Sequence, residues 1–430
     1  MQGRDAAPAA FLFEYGSAVS AWDVFKARGF HQQVTEEADL EARSRTGPLT
    51  GYIGFDPTAD SLHAGHLIPL MALKHFQLEG HRPIALLGAG TAMIGDPTGK
   101  NDMRKLLTVE QLDRNALALR DQIGRLLDFT HPDPARRAIL ANNADWLRGL
   151  QYLEFLREIG PHFSVNRMLT FETFRMRMET GLSFIEFNYP LLQSYDFLEL
   201  YRRFGCALQM GGDDQWANII SGVDLVRRVE RAQVFGWTFP LLTTASGAKM
   251  GKTEKGALWL DASKSSPYEY YQYWVNVEDP DVPRFLRLFT LLPLGEIDEL
   301  AKLQGADIRK AKEVLAYEAT RLIHGEQEAG RARLGARALF GGTGDLADVP
   351  TTSLVAARLA DGLPLAELMT EIGLAKSRSE VRRLIQQGGI TVNDEKVESP
   401  EFTLGQGNLA NGAILLRVGK KKYHRIVVNG

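Results

Sequence analysis

A parallel sheet flanked by helices, then a helical segment, then a small basic module of helices and strands, is the architecture this sequence predicts. Three observations carry it. Residues 50–240 alternate short apolar runs with longer amphipathic ones, the pattern of an α/β sheet covered on both faces. Strand signals fade between about residues 265 and 339, where helical periodicity takes over. Finally, Lys376 to Gly430 holds ten Lys/Arg against five Asp/Glu, a local excess of +5. The chain is divided accordingly at 1–240, 241–345 and 346–430.

The elements follow in order. Met1 to Tyr15 carries Asp5, Glu14 and only Arg4, too little arginine for a transit peptide, and reads as a leader. Tyr52–Phe55 reads as a strand, Leu67–Leu78 as a helix and Pro83–Gly88 as a buried strand ending in a glycine turn. Ile139–Asn142 and Cys206–Met210 are further strands, the latter followed by Gly211-Gly212 and a helix from about Asp214. In such a sheet ligands bind beyond the C-terminal strand ends, where glycine turns at Gly54, Gly88 to Gly90 and Gly211-Gly212 fall. Leu286–Leu292 and Ile308–Ile323 read as helices, and 341–350, rich in glycine, aspartate and threonine, as a linker. Leu365–Ile372 and Ser379–Gln386 are short helices. Ile390–Val392 and Lys396-Val397 flank a polar turn at Asn393-Asp394, and Ala413–Val418 and Tyr423–Val428 close the chain as strands.

Composition bounds the partners. At 430 residues with a net charge of −3, the chain has no global basic signal for nucleic acid, so any RNA surface must be local. Cys206 is the only cysteine, which forbids an intrachain disulfide and fits a reducing, cytoplasmic setting. No apolar run reaches the ~18 residues of a membrane span.

Two stretches carry the chemistry. In the first, His63 and His66 stand three apart at the start of a helix, where free N–H groups and the dipole favour an anion. An imidazole there can donate to phosphate as charge develops. The segment alone fits a helix start with two structural histidines equally well. Zinc is disfavoured, since no cysteine or glutamate ligand lies nearby, and no metal site is assigned. Gly65 allows close approach to an adenine or ribose. Pro69 falls near the first turn, where a missing N–H matters less. In the second stretch, Lys249, Lys252 and Thr253 surround Gly251. Read alone it is a solvated basic turn; read with the first, it completes a cationic surround for a polyphosphate.

Other motifs fail or stay open. Gly95 to Lys100 lacks the glycine spacing and the following Ser/Thr of a P-loop, and Met93 stands where a dinucleotide fingerprint needs glycine. Tyr189, Gln193 and Asp196 form one polar stripe on a helix, suited to an amino acid's ammonium and side chain or to a partly exposed face.

Taken together, these residues resemble the bacterial-type tyrosyl-tRNA synthetases of class I. Tyr52 to His66 is similar to that family's first signature nearly throughout. Gly211 to Trp216 is similar to its ribose-binding segment, and Lys249 to Thr253 to its lysine signature loop. The resemblance covers roughly residues 15–430. It implies a Rossmann-like catalytic domain, a helical anticodon-binding domain and an S4-like RNA-binding domain. The reaction implied is activation of L-tyrosine by ATP, with Mg2+, and transfer to tRNA(Tyr), in a homodimer. No nucleophilic side chain is needed, because the tyrosine carboxylate itself attacks the α-phosphate; catalysis is positioning and charge stabilisation.

Roles follow from the same resemblance. Tyr52 and Asp196 would bond the phenol. Tyr189, Gln193 and Asp96 would hold the ammonium, with Asn143 orienting Asp96, and Gln209 and Gln215 would lie near the carboxylate. Gly54, Asp56, Gly65, Gly212 and Asp214 would line the ATP site. Thr58 and His63 would meet the γ-phosphate and His66 the nucleotide. Lys100, Arg104, Lys249, Lys252 and Thr253 would bind pyrophosphate in the transition state. Lys376, Arg378, Arg382, Arg383, Lys420, Lys421 and Lys422 are the RNA-binding candidates. Ile53 stands where some relatives have a cysteine that touches the ribose. Two other readings compete: a tryptophan-specific relative, which Tyr52, Asp196 and the S4-like module disfavour, and an RNA-binding regulator or splicing cofactor on the same scaffold, which intact His63, His66, Lys249 and Lys252 disfavour.

Overall fold

A computed structural model describes residues 20–96, 107–241, 243–247, 250–253, 256–341, 349–360, 362–410, 412–419 and 422–429. The chain forms two compact units, one running to Ser265 and including Asn276–Ile323, the other made of Ser266–Val275 and His324 onward. The stretch read as one helical segment is therefore shared between them, with the helix Pro267–Val275 in the second.

The first unit is built on a six-stranded sheet: β1 (Gln33–Val34), β2 (Thr50–Phe55), β3 (Arg82–Leu87), β4 (Ile139–Asn142), β5 (Cys206–Gly212) and β6 (Phe235–Phe239), in the order β1-β6-β5-β2-β3-β4. All neighbours are parallel except the short antiparallel edge β1. Side chains alternate across the sheet. Tyr52 packs its ring on Phe197 of the helix Phe184–Phe204, while the space over Gly51 is filled by Phe76 of the helix Leu67–Leu78. Helices thus cover both faces, as the alternation predicts. Strand order reverses between β2 and β5, so their C-terminal ends, Asp56 and Gly212, splay around a crevice.

Sequence and structure differ where local signals compete. β6 is buried at every position and so lacks alternation, and Gly236 and Thr238 also break the apolar run that marks buried β3. The helix expected at 286–292 runs Val282–Phe289 instead. Pro283 suits its first turn, and it stops where Thr290 turns extended and its hydroxyl caps the Leu286 carbonyl. The helix expected from Asp214 starts as a 3-10 turn at Asp213–Gln215 and becomes α-helical at Trp216. Further along, β7 (Lys252–Thr253) and β8 (Gly256–Ala257) pair as a small antiparallel ribbon.

In the second unit, strands β9 (Thr351–Val355), β10 (Leu363–Pro364), β11 (Ile390–Val392), β12 (Glu395–Lys396), β13 (Thr403–Leu404), β14 (Ala413–Val418) and β15 (Lys422–Asn429) form a five-stranded sheet, β12-β11-β14-β15-β9, and a pair, β10-β13. Asn393 and Asp394 both take positive φ, the requirement of a two-residue hairpin turn. Leu365, Leu368, Val381, Ile385, Ile414 and Ile426 make its core with the helices Leu365–Glu371 and Arg378–Gln386.

Candidate functional site

The crevice at the strand reversal is a cavity of about 220 Å³. Tyr52 (β2), Asn143 and Asp196 form its floor; Tyr189 and Gln193 rise from the helix Phe184–Phe204; Gly212 and Gln215 lie at the end of β5. Eleven expected residues line this one cavity: Tyr52, Gly54, Asp56, Asp96, Asn143, Tyr189, Gln193, Asp196, Gln209, Gly212 and Gln215.

The floor is a connected polar network. Asp196, 2% exposed, accepts from Asn143 Nδ2 at 2.9 Å on one oxygen and from Trp146 Nε1 at 2.7 Å on the other. Asn143 spends its second amide proton on Thr91 Oγ1 at 2.9 Å, and its oxygen accepts from Gly90 N at 2.7 Å. Thr91 and Tyr189 both donate to Asp56, at 3.1 and 3.2 Å. Asn143 therefore orients Asp196, where the resemblance implied Asp96. Burial pushes the Asp196 carboxyl up to about 8, opposed by its two donors and reinforced by the charges of Asp56 and Glu199. Gly88 is required beside this network, because a Cβ there would stand 2.1 Å from Asp56 Oδ1.

Two buried polar atoms at the cavity have no hydrogen-bond partner among the described residues: the Tyr52 hydroxyl and Gln209 Oε1. Tyr52 and Gln209 are directly paired across β2 and β5, so both side chains leave the same face of the sheet. Unpaired groups so placed cost about 1–3 kcal/mol each unless a ligand completes them. Burial, with the Asp196 charge beside it, holds the Tyr52 phenol well above its usual range and so protonated.

A second cluster sits above. Gln215 donates to Asp96 at 2.9 Å and accepts from Gln193 and Asn218, at 3.3 and 3.1 Å; Asn218 also reaches Gln193 at 3.0 Å. These amides and one carboxylate can hold an ammonium and a carboxylate. The sequence reading missed Trp146, Thr91 and Asn218. Trp146 lies one helical turn after Asn143 and Asn218 one turn after Gln215, a spacing that marks a shared face.

His63 and His66 lie at the 3-10 turn Ala64–His66 that leads into the helix Leu67–Leu78. His63 Nδ1 accepts from Gly65 N at 3.1 Å, and His66 Nδ1 accepts from His63 N at 3.2 Å. With both Nδ1 atoms used as acceptors, each neutral ring carries its proton on Nε2. Burial lowers the His63 pKa and favours that neutral donor. Gly65 leaves room for the ring, since a Cβ would come within 2.8 Å of it. Thr58 and Asp214 are exposed.

The second motif is brought to the first through the backbone. Leu258 N bonds Gly251 O at 2.8 Å, Ala64 N bonds Leu258 O at 2.8 Å, and Leu260 N bonds Leu62 O at 2.9 Å. Lys252 and Thr253 are placed on β7; Lys249, Lys100 and Arg104 lie outside the described residues. Among the described residues no three His, Cys, Asp or Glu side chains group as a metal site, and no helix is long and apolar enough to cross a membrane.

The other basic candidates belong to the second unit. Lys376, Arg378, Arg382 and Arg383 are exposed just before and along the helix Arg378–Gln386. Arg378 pairs with Glu367 at 2.8 Å and Arg382 with Glu401 at 3.2 Å; Arg383 makes no ion pair among the described residues. Lys422 starts β15, while Lys420 and Lys421 lie outside the described residues.

Comparison with known proteins agrees on one family. The profile of the class I tRNA synthetases (W and Y) matches residues 44–341, and that of the tyrosine--tRNA ligase SYY-like C-terminal domain matches 344–426. Similar curated proteins include tyrosine--tRNA ligases of Caldanaerobacter subterraneus subsp. tengcongensis (53% identical, 95% of this chain, 100% of that one) and Clostridium kluyveri (54%, 95% and 99%). Among solved structures, a C-terminally truncated Aspergillus nidulans mitochondrial tyrosyl-tRNA synthetase is 32% identical with a TM-score of 0.69, covering 76% of this chain and 95% of that one. A tryptophan-bound tryptophanyl-tRNA synthetase from Encephalitozoon cuniculi, 14% identical with a TM-score of 0.52 over 72% of this chain and 86% of that one, shares the fold.

Proposed function

The chain belongs to the class I tyrosyl-tRNA synthetases, and from that membership we propose how its cavity activates tyrosine with ATP and passes the tyrosyl group to tRNA. The observation that carries the reading is the buried floor, where the unpartnered Tyr52 hydroxyl and the Asp196 carboxylate stand together at the closed end of an amino-acid-sized space. A phenol hydroxyl entering there can donate to Asp196 and accept from Tyr52. The Gln193, Gln215 and Asp96 cluster takes the ammonium and, with Gln209, keeps the carboxylate aimed at ATP.

Gly54, Asp56, Gly212 and Asp214 line the nucleotide end. The Nε2–H groups of His63 and His66, with Thr58, donate to the phosphates, and Lys100, Arg104, Lys249 and Lys252 neutralise the departing pyrophosphate while the Thr253 hydroxyl donates to it. These donors act most strongly on charge that appears in the transition state. Magnesium would accompany ATP and offset charge on its phosphates.

The exposed basic residues before and along this helix, Lys376 and Arg383 among them, fit the phosphate backbone of tRNA. A homodimer is supported by apolar side chains left exposed between residues 152 and 185, among them Leu153 at 76% and Phe184 at 69%. The setting is the cytoplasm, with no membrane contact.

The test is ATP–pyrophosphate exchange, which should depend on L-tyrosine. Exchange with another amino acid in its place, or RNA binding without aminoacylation, would overturn the reading; light scattering reports the dimer.

A further inference from the structure

His63 is held from a side that the two signatures do not include. The strand-like run Leu258–Leu260 pairs with Leu62–Ala64, which sets Trp259 directly opposite His63. Opposed residues on paired strands bring their side chains together. Here the indole meets the imidazole edge-on, centroids 6.0 Å apart at 68°. Trp259 is itself fixed twice over. Its backbone N–H donates to Ser265 Oγ at 3.1 Å, and Lys264 Nζ lies 5.1 Å above the ring while ion-pairing with Asp60. Asp60 belongs to the first signature, so the clamp closes back on the segment it steadies.

We propose that Trp259 is a positioning residue for tyrosine activation: its indole holds the His63 imidazole in the orientation in which Gly65 occupies Nδ1 and Nε2–H is left to donate. The proposal rests on reading His63 as a phosphate donor. Without the indole, the ring would face solvent on that side and tilt away from Gly65. A donor displaced by a fraction of an ångström from developing charge loses much of its value, because its advantage over water is preorganisation. The burial that keeps the ring neutral would also weaken.

The experiment compares Trp259→Ala and Trp259→Phe in the full chain. It measures tyrosine-dependent exchange over a range of ATP concentrations, tyrosine affinity by calorimetry, and the His63 titration by NMR. Trp259→Ala is expected to slow exchange about ten- to a hundredfold with tyrosine affinity unchanged and the His63 midpoint raised; Trp259→Phe, which keeps a ring edge, is expected to recover most of the rate. A wild-type rate and titration in Trp259→Ala would overturn the proposal. So would equal losses in both variants accompanied by lost tyrosine binding, the mark of a general packing defect. Absence of exchange in the unaltered chain would instead remove the activity reading, and the His63 titration would still decide whether Trp259 shields that ring.

Discussion

Asn143 donates to Asp196 at 2.9 Å, and its remaining amide proton goes to Thr91. The asparagine is therefore tied to the Asp196 floor of the cavity. Trp146 completes the arrangement on the other carboxylate oxygen, and the Arg203 guanidinium lies 5.0 Å over the Trp146 ring. Asp196 is thus a buried acid whose ionised form depends on two donors, against burial and two nearby carboxylates.

Trp146→Phe should keep the packing and remove one donor. At the alkaline end, where Asp196 is ionised, tyrosine binding is expected to weaken about tenfold, as for loss of a hydrogen bond to a charged group, with the Asp196 pKa raised further above about 8. Calorimetry of tyrosine binding between pH 6 and pH 9 checks both, and an unchanged affinity would place the Trp146–Asp196 bond outside substrate recognition.

Asp196→Asn should erode selection between tyrosine and phenylalanine. Phenylalanine leaves the buried Tyr52 hydroxyl unpartnered, at about 1–3 kcal/mol, and offers the Asp196 acid no donor beyond Asn143 and Trp146. Replacing the acid by an amide lowers that penalty, so the ratio of exchange efficiencies is expected to fall about tenfold or more. Unaltered selectivity would remove Asp196 from the specificity role.

In the second unit, Arg383→Glu should weaken tRNA binding more than Arg378→Glu. Arg378 is already paired with Glu367, whereas Arg383 has no carboxylate among the described residues. Binding measured across salt concentrations should show Arg383→Glu lowering the salt slope by about 1. Equal slopes in the two variants and the unaltered chain would move the RNA surface elsewhere.

Stability should fall in mild acid. His81 is buried against Trp22 and Phe76, accepts from Leu49 N at 3.2 Å, and burial with the Arg136 and Arg43 charges lowers its pKa from 6.5 to about 4. Between those values the unfolded chain binds a proton that the folded chain refuses. The stability present above pH 6.5 is therefore lost as pH falls, by about 3 kcal/mol near pH 4. His75, driven well below its ordinary value by burial, acts in the same direction. Urea titrations at pH 8 and pH 5 measure the loss, and His81→Gln should flatten it.

Much of this protein is legible along the chain, because its elements carry their own periodicity. The helix Leu67–Leu78 and the strand Ile139–Asn142 stand where the sequence puts them, and the polar stripe Tyr189, Gln193, Asp196 lines the cavity as one face of a helix. Resemblance to a known family then assigned the chemistry. β6 escaped detection because Gly236 and Thr238 break its apolar run, and Trp146 because a tryptophan reads as core until its indole N–H is seen to reach Asp196.

Local composition and spacing thus determined most of the elements and the two signatures, and resemblance to the family singled out Tyr52 and Asp196. Tertiary structure alone decided which buried polar groups meet. That includes Asn143 choosing Asp196 over Asp96, the orphaned Tyr52 hydroxyl, and Trp259 standing opposite His63. The physical reason is that hydrogen-bond partners and ring contacts are set by strand register and helix packing between distant segments, and no spacing along the chain encodes them.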